Sequence, residues 1–300
     1  MRTEADVCVD GRVVHVSSLD RVLWPAAGVT KAELLDYYVR VAHALLPHVA
    51  GRPVTLHRFP EGIGGPHFFQ TRTPPHPPWV RTATLSFPRT GKTFDAPVLD
   101  DLPALVWAAN LSTLEVHPFL GRVEALDRPT AVAFDLDPGP PAGMRDAAQV
   151  ALAVHALLED AGLVGFAKTS GSKGMHVFVP LNGDVTYEAT KGFARSVAAR
   201  LTAVSGGAVT DRMSRALRPG RVFVDWSQND PGKSTVAVYS LRGTAFPSAS
   251  TPVTWPEVES VARGQLPELR FGPDDVLERL ERLGDLFAPV LSLRQELPPA

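Results

Sequence analysis

Two acidic residues close an apolar run near the middle of the chain. Residues 131–138 read Ala-Val-Ala-Phe-Asp-Leu-Asp-Pro, which places Asp135 and Asp137 two positions apart at the end of a predicted strand. Side chains two apart point to the same face of a strand, so both carboxylates can converge on one point. Hard oxygen ligands of this kind suit Mg²⁺ or Mn²⁺. Asp-Pro-Gly is also a turn sequence, and glycosyltransferases and aspartyl phosphatases place similar pairs at strand ends.

A third acid ends a second apolar run, Arg-Val-Phe-Val-Asp-Trp, as Asp225. Its apolar neighbours offer no reason to bury a charge, which favours a functional interpretation. Two divalent ions, Mn²⁺ or Mg²⁺, held by three carboxylates can activate a 3′-hydroxyl and neutralise a departing pyrophosphate. Asp135, Asp137 and Asp225 are therefore candidate ligands of such a metal site, and the remaining motifs must decide between it and the alternatives.

A short loop between two predicted strands combines glycines, hydroxyls and a lysine. It reads Thr169-Ser170-Gly171-Ser172-Lys173-Gly174, and His176 follows two positions later. Close backbone N–H groups, hydroxyls and an ammonium suit a triphosphate, although the spacing is not that of a Walker loop. His176 could donate to a phosphate or to the reacting oxygen. The alternatives are an ordinary hairpin turn and an ordinary strand histidine.

Arginines recur every third residue just before the Asp225 strand. They are Arg212, Arg215, Arg218 and Arg221. We predict a short helix ended by Pro219, with at least the first three arginines on one side, placed to contact phosphates; a solvated face is the alternative. Arg242 follows a further predicted strand and is another candidate for the triphosphate.

The first part of the chain is predicted to be mixed and rich in loops. A hairpin spans Val7–Val16 around Asp10-Gly11, and a capping box over Thr30–Glu33 begins a helix that ends near Pro47. Further strands are predicted at Val54–Phe59, Phe68–Thr71, Val80–Leu85 and Leu114–Phe119.

From Thr130 the pattern becomes regular and predicts an α/β arrangement. Strands are predicted at Ala131–Leu136, Leu163–Lys168, Met175–Pro180, Val222–Trp226 and Val236–Ser240, and helices at Met144–Ala161 and Tyr187–Val204, with two amphipathic helices after Pro256. The first strand, helix and following strand form a βαβ-like unit. We expect these elements to bring the acids, the loop and the arginines together.

The whole-chain composition narrows the class of protein. With 300 residues, 44% hydrophobic and 21% charged, the chain can bury a large core. No apolar run is long enough to cross a bilayer and no signal peptide is evident, so a cytoplasmic protein without a membrane partner is expected. The single cysteine, Cys8, excludes an internal disulfide. A net charge of −2 means that a nucleic acid must be held by local patches.

Eight ordered segments closely resemble the polymerase domain of bacterial ligase D, the end-joining branch of the archaeo-eukaryotic primase superfamily. The resemblance covers nearly the whole chain. The segments are Asp20-Arg21-Val22-Leu23-Trp24-Pro25, Arg58-Phe59-Pro60-Glu61-Gly62, Phe68-Phe69-Gln70, Leu114-Glu115-Val116-His117, Phe134-Asp135-Leu136-Asp137-Pro138-Gly139, Lys168 to His176, Val222 to Asn229 and Tyr239-Ser240-Leu241-Arg242.

The resemblance implies a fold and a division of labour. The fold is an α/β (α+β) primase-polymerase fold, with an RNA-recognition-type catalytic sheet packed on a second α/β module and the active site in the cleft between them. Residues 1–300 form one catalytic domain. Its sub-modules are expected at about 1–129, for binding a 5′-phosphate and template, and 130–300, for binding metal and nucleotide.

The resemblance also assigns roles to individual residues. Asp135, Asp137 and Asp225 match the metal-binding triad, and Ser170, Ser172, Lys173, His176, Arg218 and Arg242 match the nucleotide pocket. Arg21 and Lys31 match positions that hold the 5′-phosphate of a gap or break, and Phe68 and Phe69 match an aromatic pair that stacks on the template. Without the resemblance both phenylalanines would be interpreted as core.

Two features depart from the family pattern. His117 matches a histidine near the catalytic centre, and we group His57 with it as an active-site residue. His57, however, stands where the family commonly has a lysine, so a permanent positive charge is replaced by one that depends on pH. Residues 121–127 replace what is often a longer loop, which is expected to alter synapsis of two DNA ends.

The implied activity is template-directed addition of nucleotides, with ribonucleotides favoured and manganese often preferred. Expected partners are DNA gaps or ends bearing a 5′-phosphate, NTP or dNTP, a separate ATP-dependent DNA ligase and a Ku-type end-binding protein, in the nucleoid. End joining, excision-repair gap filling and priming stay open. So do two other classes: a non-catalytic DNA-end-binding module, and an aspartyl phosphatase, although Pro138-Gly139 stands where that class has Gly-Thr. The sequence ends at Ala300, and no ligase or nuclease segment follows it. We therefore expect a stand-alone protein or an excised domain.

Overall fold

The structure is a computed structural model that describes residues 3–87 and 91–298. The α-helices in these ranges are α1 (Lys31–Val49), α2 (Leu102–Asn110), α3 (Met144–Asp160), α4 (Tyr187–Val204), α5 (Trp255–Ala262) and α6 (Pro273–Leu283). The strands are β1 (Glu4–Val9), β2 (Arg12–Ser17), β3 (Val22–Trp24), β4 (Val29–Thr30), β5 (Val54–Arg58), β6 (Phe68–Gln70), β7 (Thr82–Phe87), β8 (Lys92–Pro97), β9 (Thr113–Pro118), β10 (Gly121–Arg122), β11 (Ala125–Pro129), β12 (Ala131–Pro138), β13 (Phe166–Thr169), β14 (Met175–Pro180), β15 (Val209–Thr210), β16 (Val222–Asp225), β17 (Leu241–Arg242), β18 (Ser248–Ala249) and β19 (Pro252–Val253).

The described residues group into two compact units. The first comprises Met1–Glu124, Ser234–Ala249 and Gly272–Arg282, and the second comprises Ala125–Lys233, Ser250–Phe271 and Leu283–Ala300. Each unit is therefore assembled from segments that are distant in sequence.

In the first unit, the predicted hairpin and capping box are confirmed. β1 and β2 pair antiparallel, and Asp10 and Gly11 in the turn both have positive φ, as a type I′ turn requires. Thr30 caps α1 reciprocally with Glu33. The helix ends at Val49, two residues past Pro47, which agrees with the predicted end near that proline.

A three-stranded sheet in the first unit has the order β6-β5-β9. β5 pairs antiparallel with both neighbours, so that His57 lies opposite Phe69 on one side and Glu115 on the other. Residues directly opposite each other share a face of the sheet. This register therefore places polar and aromatic side chains from three strands on one face.

The second unit contains a six-stranded sheet of order β15-β16-β12-β14-β13-β19. β12 is antiparallel to β16 and to β14, and β13 is antiparallel to β14. β12 and β13, which α3 connects, consequently run parallel with β14 between them. This split βαβ, completed by α4 and β16, has the strand order of an RNA-recognition-type sheet. The predicted mixed α/β class is confirmed, and the simple βαβ unit becomes a split one.

One face of this sheet carries the apolar core of the unit. Val132, Phe134 and Leu136 of β12 are fully buried with residues of α3 and α4. The intervening positions Asp135 and Asp137 belong to the opposite face and keep 28% and 35% of their side chains exposed. Because successive side chains of β12 point to opposite faces of the sheet, the apolar residues enter the core and the two acids lie on the other face.

Several predicted element boundaries are wrong. Residues 236–240 form no strand: the backbone turns at Tyr239, where φ is +65°. The arginine-rich segment forms only a 3₁₀ turn, Arg215–Leu217, because Pro219 and Gly220 follow at once. β13 begins at Phe166 instead of Leu163, and β7 at Thr82 instead of Val80. Among the described residues, none of the helices has the length and apolarity needed to cross a bilayer.

Candidate active site

Four polar residues lie side by side across four adjacent strands of the six-stranded sheet. Asp225 on β16 is directly opposite Asp135 on β12, Asp135 is opposite His176 on β14, and His176 is opposite Lys168 on β13. We call these four residues the polar row. Asp135 thus has an acid on one side and a histidine on the other.

Hydrogen bonds orient both acids of the polar row. His176 Nε2 lies 3.3 Å from Asp135 Oδ1. The Gln228 amide donates to Asp225 Oδ2 at 3.0 Å and to Asp135 Oδ2 at 3.4 Å, so one donor bridges the two carboxylates. Asp225 Oδ1 accepts from the backbone N–H of Ser227 at 2.9 Å. These contacts hold both carboxylates in place, and Lys233 Nζ lies 4.0 Å from Asp225 Oδ2.

The turn after β16 explains why Gln228 reaches the acids. Asp225 caps a 3₁₀ turn over Trp226–Gln228. The fully buried Asn229 side chain then accepts from Ala133 N at 2.9 Å and donates to Ala133 O at 2.8 Å. This two-point bond fixes the turn against β12, because a buried amide must satisfy both of its polar atoms.

Asp137 lies between two cations at the mouth of a small cavity. Lys173 Nζ is 3.1 Å from Asp137 Oδ1, and Arg218 Nη1 is 3.3 Å from Oδ2. The cavity has a volume of about 320 Å³ and is lined by Asp137, Gly139, Pro140, Lys173, Arg215, Arg218 and Pro219. An anionic group that enters it would meet up to three cationic side chains.

Arg218 is fixed by more than its ion pair. Its guanidinium lies 3.9 Å above the centre of the Phe223 ring, and its Nη2 donates to Met213 O at 3.0 Å. Gly139 lets the arginine segment approach, since a Cβ at that position would lie 2.2 Å from Arg218 O. Arg212 is different: its side chain is 77% exposed and pairs with the adjacent Asp211.

The small-residue loop is closed by its own serine. Ser170 Oγ accepts from the backbone N–H groups of Ser172 at 3.2 Å and Gly174 at 3.1 Å. Gly174 passes so near β12 that a Cβ would lie 2.2 Å from Leu136 O. The loop therefore sits against the end of the acid-bearing strand and presents the exposed Lys173 beside Asp137.

In the first unit, Arg21 and Lys31 are neighbours. The Lys31 N–H donates to Arg21 O at 2.8 Å, and the Arg21 guanidinium donates to Pro60 O. Lys31 is buried, and its ammonium donates to Ser17 O at 2.5 Å. Burial, with the nearby charges of Arg21 and Arg58, lowers the pKa of Lys31 to about 8. Such a concentration of positive charge favours an anionic partner.

Phe68 and Phe69 lie on β6 and are 44% and 62% exposed, so they are not core residues. The Arg58 guanidinium lies 5.4 Å above the Phe68 ring. Phe69 stacks on His57 with ring centres 3.9 Å apart and an angle of 17°. Exposed aromatic faces of this kind can accept a stacked base.

His57, His117 and Arg242 converge on Glu115. His117 Nε2 is 2.8 Å and His57 Nδ1 is 3.2 Å from Glu115 Oε2, while Arg242 Nε is 3.3 Å from Oε1. Burial alone would raise the pKa of Glu115, but the two histidines and Arg242 outweigh it and hold that pKa far below its usual range. Burial lowers the pKa of His117 despite Glu115.

Sequence reasoning missed several members of these sites. Glu115, Lys168, Gln228 and Asn229 were noticed only as parts of longer segments, and His67 carried no signal of its own. Glu115 could have been found by its spacing, because it stands two residues before His117 in an apolar strand. Arg242 lies in the first unit against Glu115, and its predicted contact with a nucleotide stays a prediction.

Comparisons with known proteins place the chain in a family. The model of the LigD primase-polymerase domain matches residues 30–287. The multifunctional non-homologous end joining DNA repair protein LigD of Mycobacterium tuberculosis (strain H37Rv) is 42% identical over 284 residues, which cover 91% of this chain and 36% of that protein. The bifunctional non-homologous end joining protein LigD of Bacillus subtilis is 29% identical, over 95% of this chain and 46% of that protein.

A solved structure is similar over almost its whole length. It is the polymerase domain from Mycobacterium tuberculosis ligase D in complex with DNA, with a TM-score of 0.86 and 40% identity, covering 93% of this chain and 98% of that chain. This chain spans little more than a third of the mycobacterial relative's full length. The chain belongs to the LigD primase-polymerase domain family, a class of nucleotidyltransferase.

Proposed function

We propose that this chain is a primase-type, template-directed nucleotidyltransferase that adds nucleotides at short gaps or broken ends of DNA. One observation carries the proposal: Asp225 lies directly opposite Asp135, and Asp137 follows on the same strand beside a cation-lined cavity. Membership of a primase-polymerase family supports the same activity. End joining and excision-repair gap filling are both compatible with it.

The donor chemistry of the three acids suits divalent metal ions, although within the described residues their carboxylate oxygens do not all lie within 4.8 Å of one another. Asp135, Asp137 and Asp225 offer carboxylate oxygens at the partly exposed ends of neighbouring strands, which suits Mg²⁺ or Mn²⁺. Two bound ions would supply activation of a 3′-hydroxyl and charge neutralisation of the leaving pyrophosphate. Gln228 would keep Asp135 and Asp225 oriented, and His176 would hold the other oxygen of Asp135.

Lys173 and Arg218 are proposed to exchange partners when a nucleotide binds. Both cations lie against Asp137, at 3.1 and 3.3 Å. A triphosphate would draw both cations into the cavity and release Asp137 for a metal ion. Ser170 and Ser172 would complete the phosphate loop; His176 and Arg242 are further proposed contacts. Ribonucleotides are the proposed preferred substrates, with manganese as the preferred ion.

The first unit is proposed to bind the DNA. The similar mycobacterial structure is a complex with DNA, and this unit carries both a cationic site and exposed aromatic rings. We propose that Arg21 and Lys31 hold a downstream 5′-phosphate and that Phe68 and Phe69 stack on the template. A separate ATP-dependent ligase and a Ku-type end-binding protein are the proposed protein partners.

The test is primer extension on a one-nucleotide gap, an overhanging end and an unprimed strand, each with and without a 5′-phosphate. The variant D135N/D137N is expected to lose extension with Mn²⁺ or Mg²⁺ while still binding the 5′-phosphorylated gap. D127N is the matched control, because Asp127 is 80% exposed and contacts only its neighbour Arg128 among the ion pairs described. Comparing NTP with dNTP on the same substrates tests the ribonucleotide preference.

Three outcomes are informative. Extension by the wild type and D127N but not by D135N/D137N supports the proposal. Extension by all three proteins contradicts the assigned site. Binding of the 5′-phosphorylated gap without extension by any protein would favour the non-catalytic end-binding module.

A further inference from the structure

A second group of metal-ligating side chains lies on β5 and β9 of the first unit. His57 is directly opposite Glu115, and His117 stands two residues further along the same strand. One ligand atom from each of the three residues lies within 4.8 Å of the other two, and both His57 Nδ1 and His117 Nε2 contact Glu115 Oε2, at 3.2 and 2.8 Å. Within residues 3–87 and 91–298, no other group of three His, Cys, Asp or Glu residues meets that distance. We call these three residues the histidine cluster.

We propose that the histidine cluster binds one transition-metal ion of the zinc type, independently of the ions proposed at Asp135, Asp137 and Asp225. Two imidazole nitrogens and one carboxylate oxygen are a ligand set used for Zn²⁺, with further positions left for water or substrate. Mg²⁺ prefers oxygen ligands and is disfavoured here. The site thus differs in chemistry from the all-carboxylate set.

The carboxylate of the cluster is already oriented for a ligand. Glu115 Oε1 accepts from Gly243 N at 2.9 Å and faces Arg242 Nε at 3.3 Å. Its other oxygen, Oε2, is directed at both histidines. Because Arg242 compensates part of the carboxylate charge, binding is expected to be weaker than at a similar site that has no neighbouring cation.

The His57 ring is also held from behind. Its Nε2 lies 2.8 Å from His67 Nδ1, so Nε2 can donate a proton there and leave Nδ1 as the ligand. A hydrogen bond on the far nitrogen is the usual support of a metal-bound imidazole. Phe69 stacks on one side of the ring at 3.9 Å, and Phe59 lies 4.4 Å away. The ring is therefore restrained before any ion arrives.

The three side chains of the histidine cluster are buried, which makes an uncompensated carboxylate charge costly there. The relative exposures of His57, Glu115 and His117 are 6%, 4% and 8%. A buried carboxylate needs compensation, and a metal ion would supply it together with the histidines. The exposed Phe69, whose ring centre lies 5.4 Å from that of His117, marks the side from which an ion could enter.

The test uses Co²⁺ as a coloured substitute for Zn²⁺, with the full chain in the D135N/D137N background. We expect one equivalent of Co²⁺ with visible absorption bands, displaced by one equivalent of Zn²⁺. H57Q and H117Q should each weaken Co²⁺ binding at least 100-fold, and H67Q about tenfold. H43Q, a change of an exposed histidine on α1, should bind as tightly as the parent, within twofold.

Two results would contradict metal binding at the histidine cluster. No absorption bands in the parent, or unchanged affinity in both H57Q and H117Q, overturns the proposal. If either variant fails to fold, as judged by circular dichroism and melting, crystals of the unaltered protein soaked in Zn²⁺ decide instead: anomalous density between the three side chains supports the site, and its absence refutes it. None of these readouts requires polymerase activity, so the two proposals can fail separately.

Discussion

The polar row and the histidine cluster are built by the same device but offer different chemistry. In each, residues directly opposite on antiparallel strands point to one face: Asp135 with Asp225, and His57 with Glu115. The side chains of the first pair are 28% and 16% exposed, whereas those of the second are 8% and 5% exposed. Register decides which side chains meet, and exposure and ligand type decide what they can bind.

The charge balance differs as well. Asp137, next to the polar row, is neutralised by the part-exposed Lys173 and Arg218, which can turn toward an incoming anion. Glu115 is held by two histidines, Arg242 and a backbone N–H in a buried setting. Lys173 and Arg218 can therefore leave Asp137 for a ligand. The contacts of Glu115 form a restrained buried network, and disrupting it is expected to lower the stability of the fold.

The largest expected effect is on catalysis at the polar row. D225N removes one of two opposed carboxylates and should lower the extension rate at least roughly 1,000-fold, because metal-assisted stabilisation contributes several kcal/mol at about 1.4 kcal/mol per tenfold. Single-turnover primer extension measures it. D184N, which changes an acid that is 86% exposed, should stay within twofold. Equal extension rates for D225N and D184N would show that Asp225 has no catalytic role.

Next in size is a stability effect at the histidine cluster. E115Q leaves two buried histidines and Arg242 without their carboxylate and should lower the free energy of unfolding by about 3 kcal/mol, the range for breaking a buried ionic network. Urea unfolding at pH 7.5 measures it. E259Q removes an exposed pair with Arg263 and should cost less than about 1 kcal/mol. A loss from E115Q no larger than that from E259Q would show that the buried network contributes little.

A smaller effect is expected from the exposed ring that covers His57. F69A should weaken binding of 5′-phosphorylated gapped DNA by ~1–3 kcal/mol, or roughly 5- to 150-fold, if Phe69 stacks on a template base. Fluorescence anisotropy with labelled DNA measures the affinity. F246A changes a phenylalanine that is 55% exposed and serves as the control. If both variants bind alike, Phe69 has no special role in DNA binding.

The smallest expected effect is a pH dependence at Lys31. Its folded pKa, about 8, lies below its ordinary value of 10.5. The folded chain therefore binds fewer protons between these values, and the contribution of Lys31 to stability rises with pH across that window. Its charge, however, is lost above pH 8. Preference for a 5′-phosphate over a 5′-hydroxyl should accordingly fall by up to about tenfold from pH 7 to pH 9.

The matched variant for this prediction is K31R, whose guanidinium keeps its charge over the whole range. The measured quantity is the ratio of the dissociation constants for the two DNA ends at each pH. A ratio that falls equally in K31R and the wild type would assign the pH dependence to another group.

The three acids of the candidate site could be predicted from the sequence because strand periodicity and apolar flanks are local properties. Asp135 and Asp137 are two apart on one strand, and Asp225 ends another. That Asp225 would lie opposite Asp135 depends on strand order and register, which no local pattern fixes. The resemblance to a known family supplied that step.

Other features could not be predicted for identifiable reasons. Residues 236–240 have strand composition, but they are buried by tertiary contacts while the backbone turns at Tyr239. The arginines do not share a helix; Arg218 reaches Asp137 because Gly139 permits a close backbone approach. The contact of His57 with Glu115 joins residues far apart in sequence, so it became visible only in the paired strands.

The most direct test of the central claim is a crystal of the protein soaked with Mn²⁺ and a non-hydrolysable nucleoside triphosphate. We predict anomalous density for manganese within ligand distance of Asp135, Asp137 and Asp225, with the phosphates against Lys173 and Arg218. Manganese bound only at other residues, or a triphosphate bound away from these acids, would contradict the account.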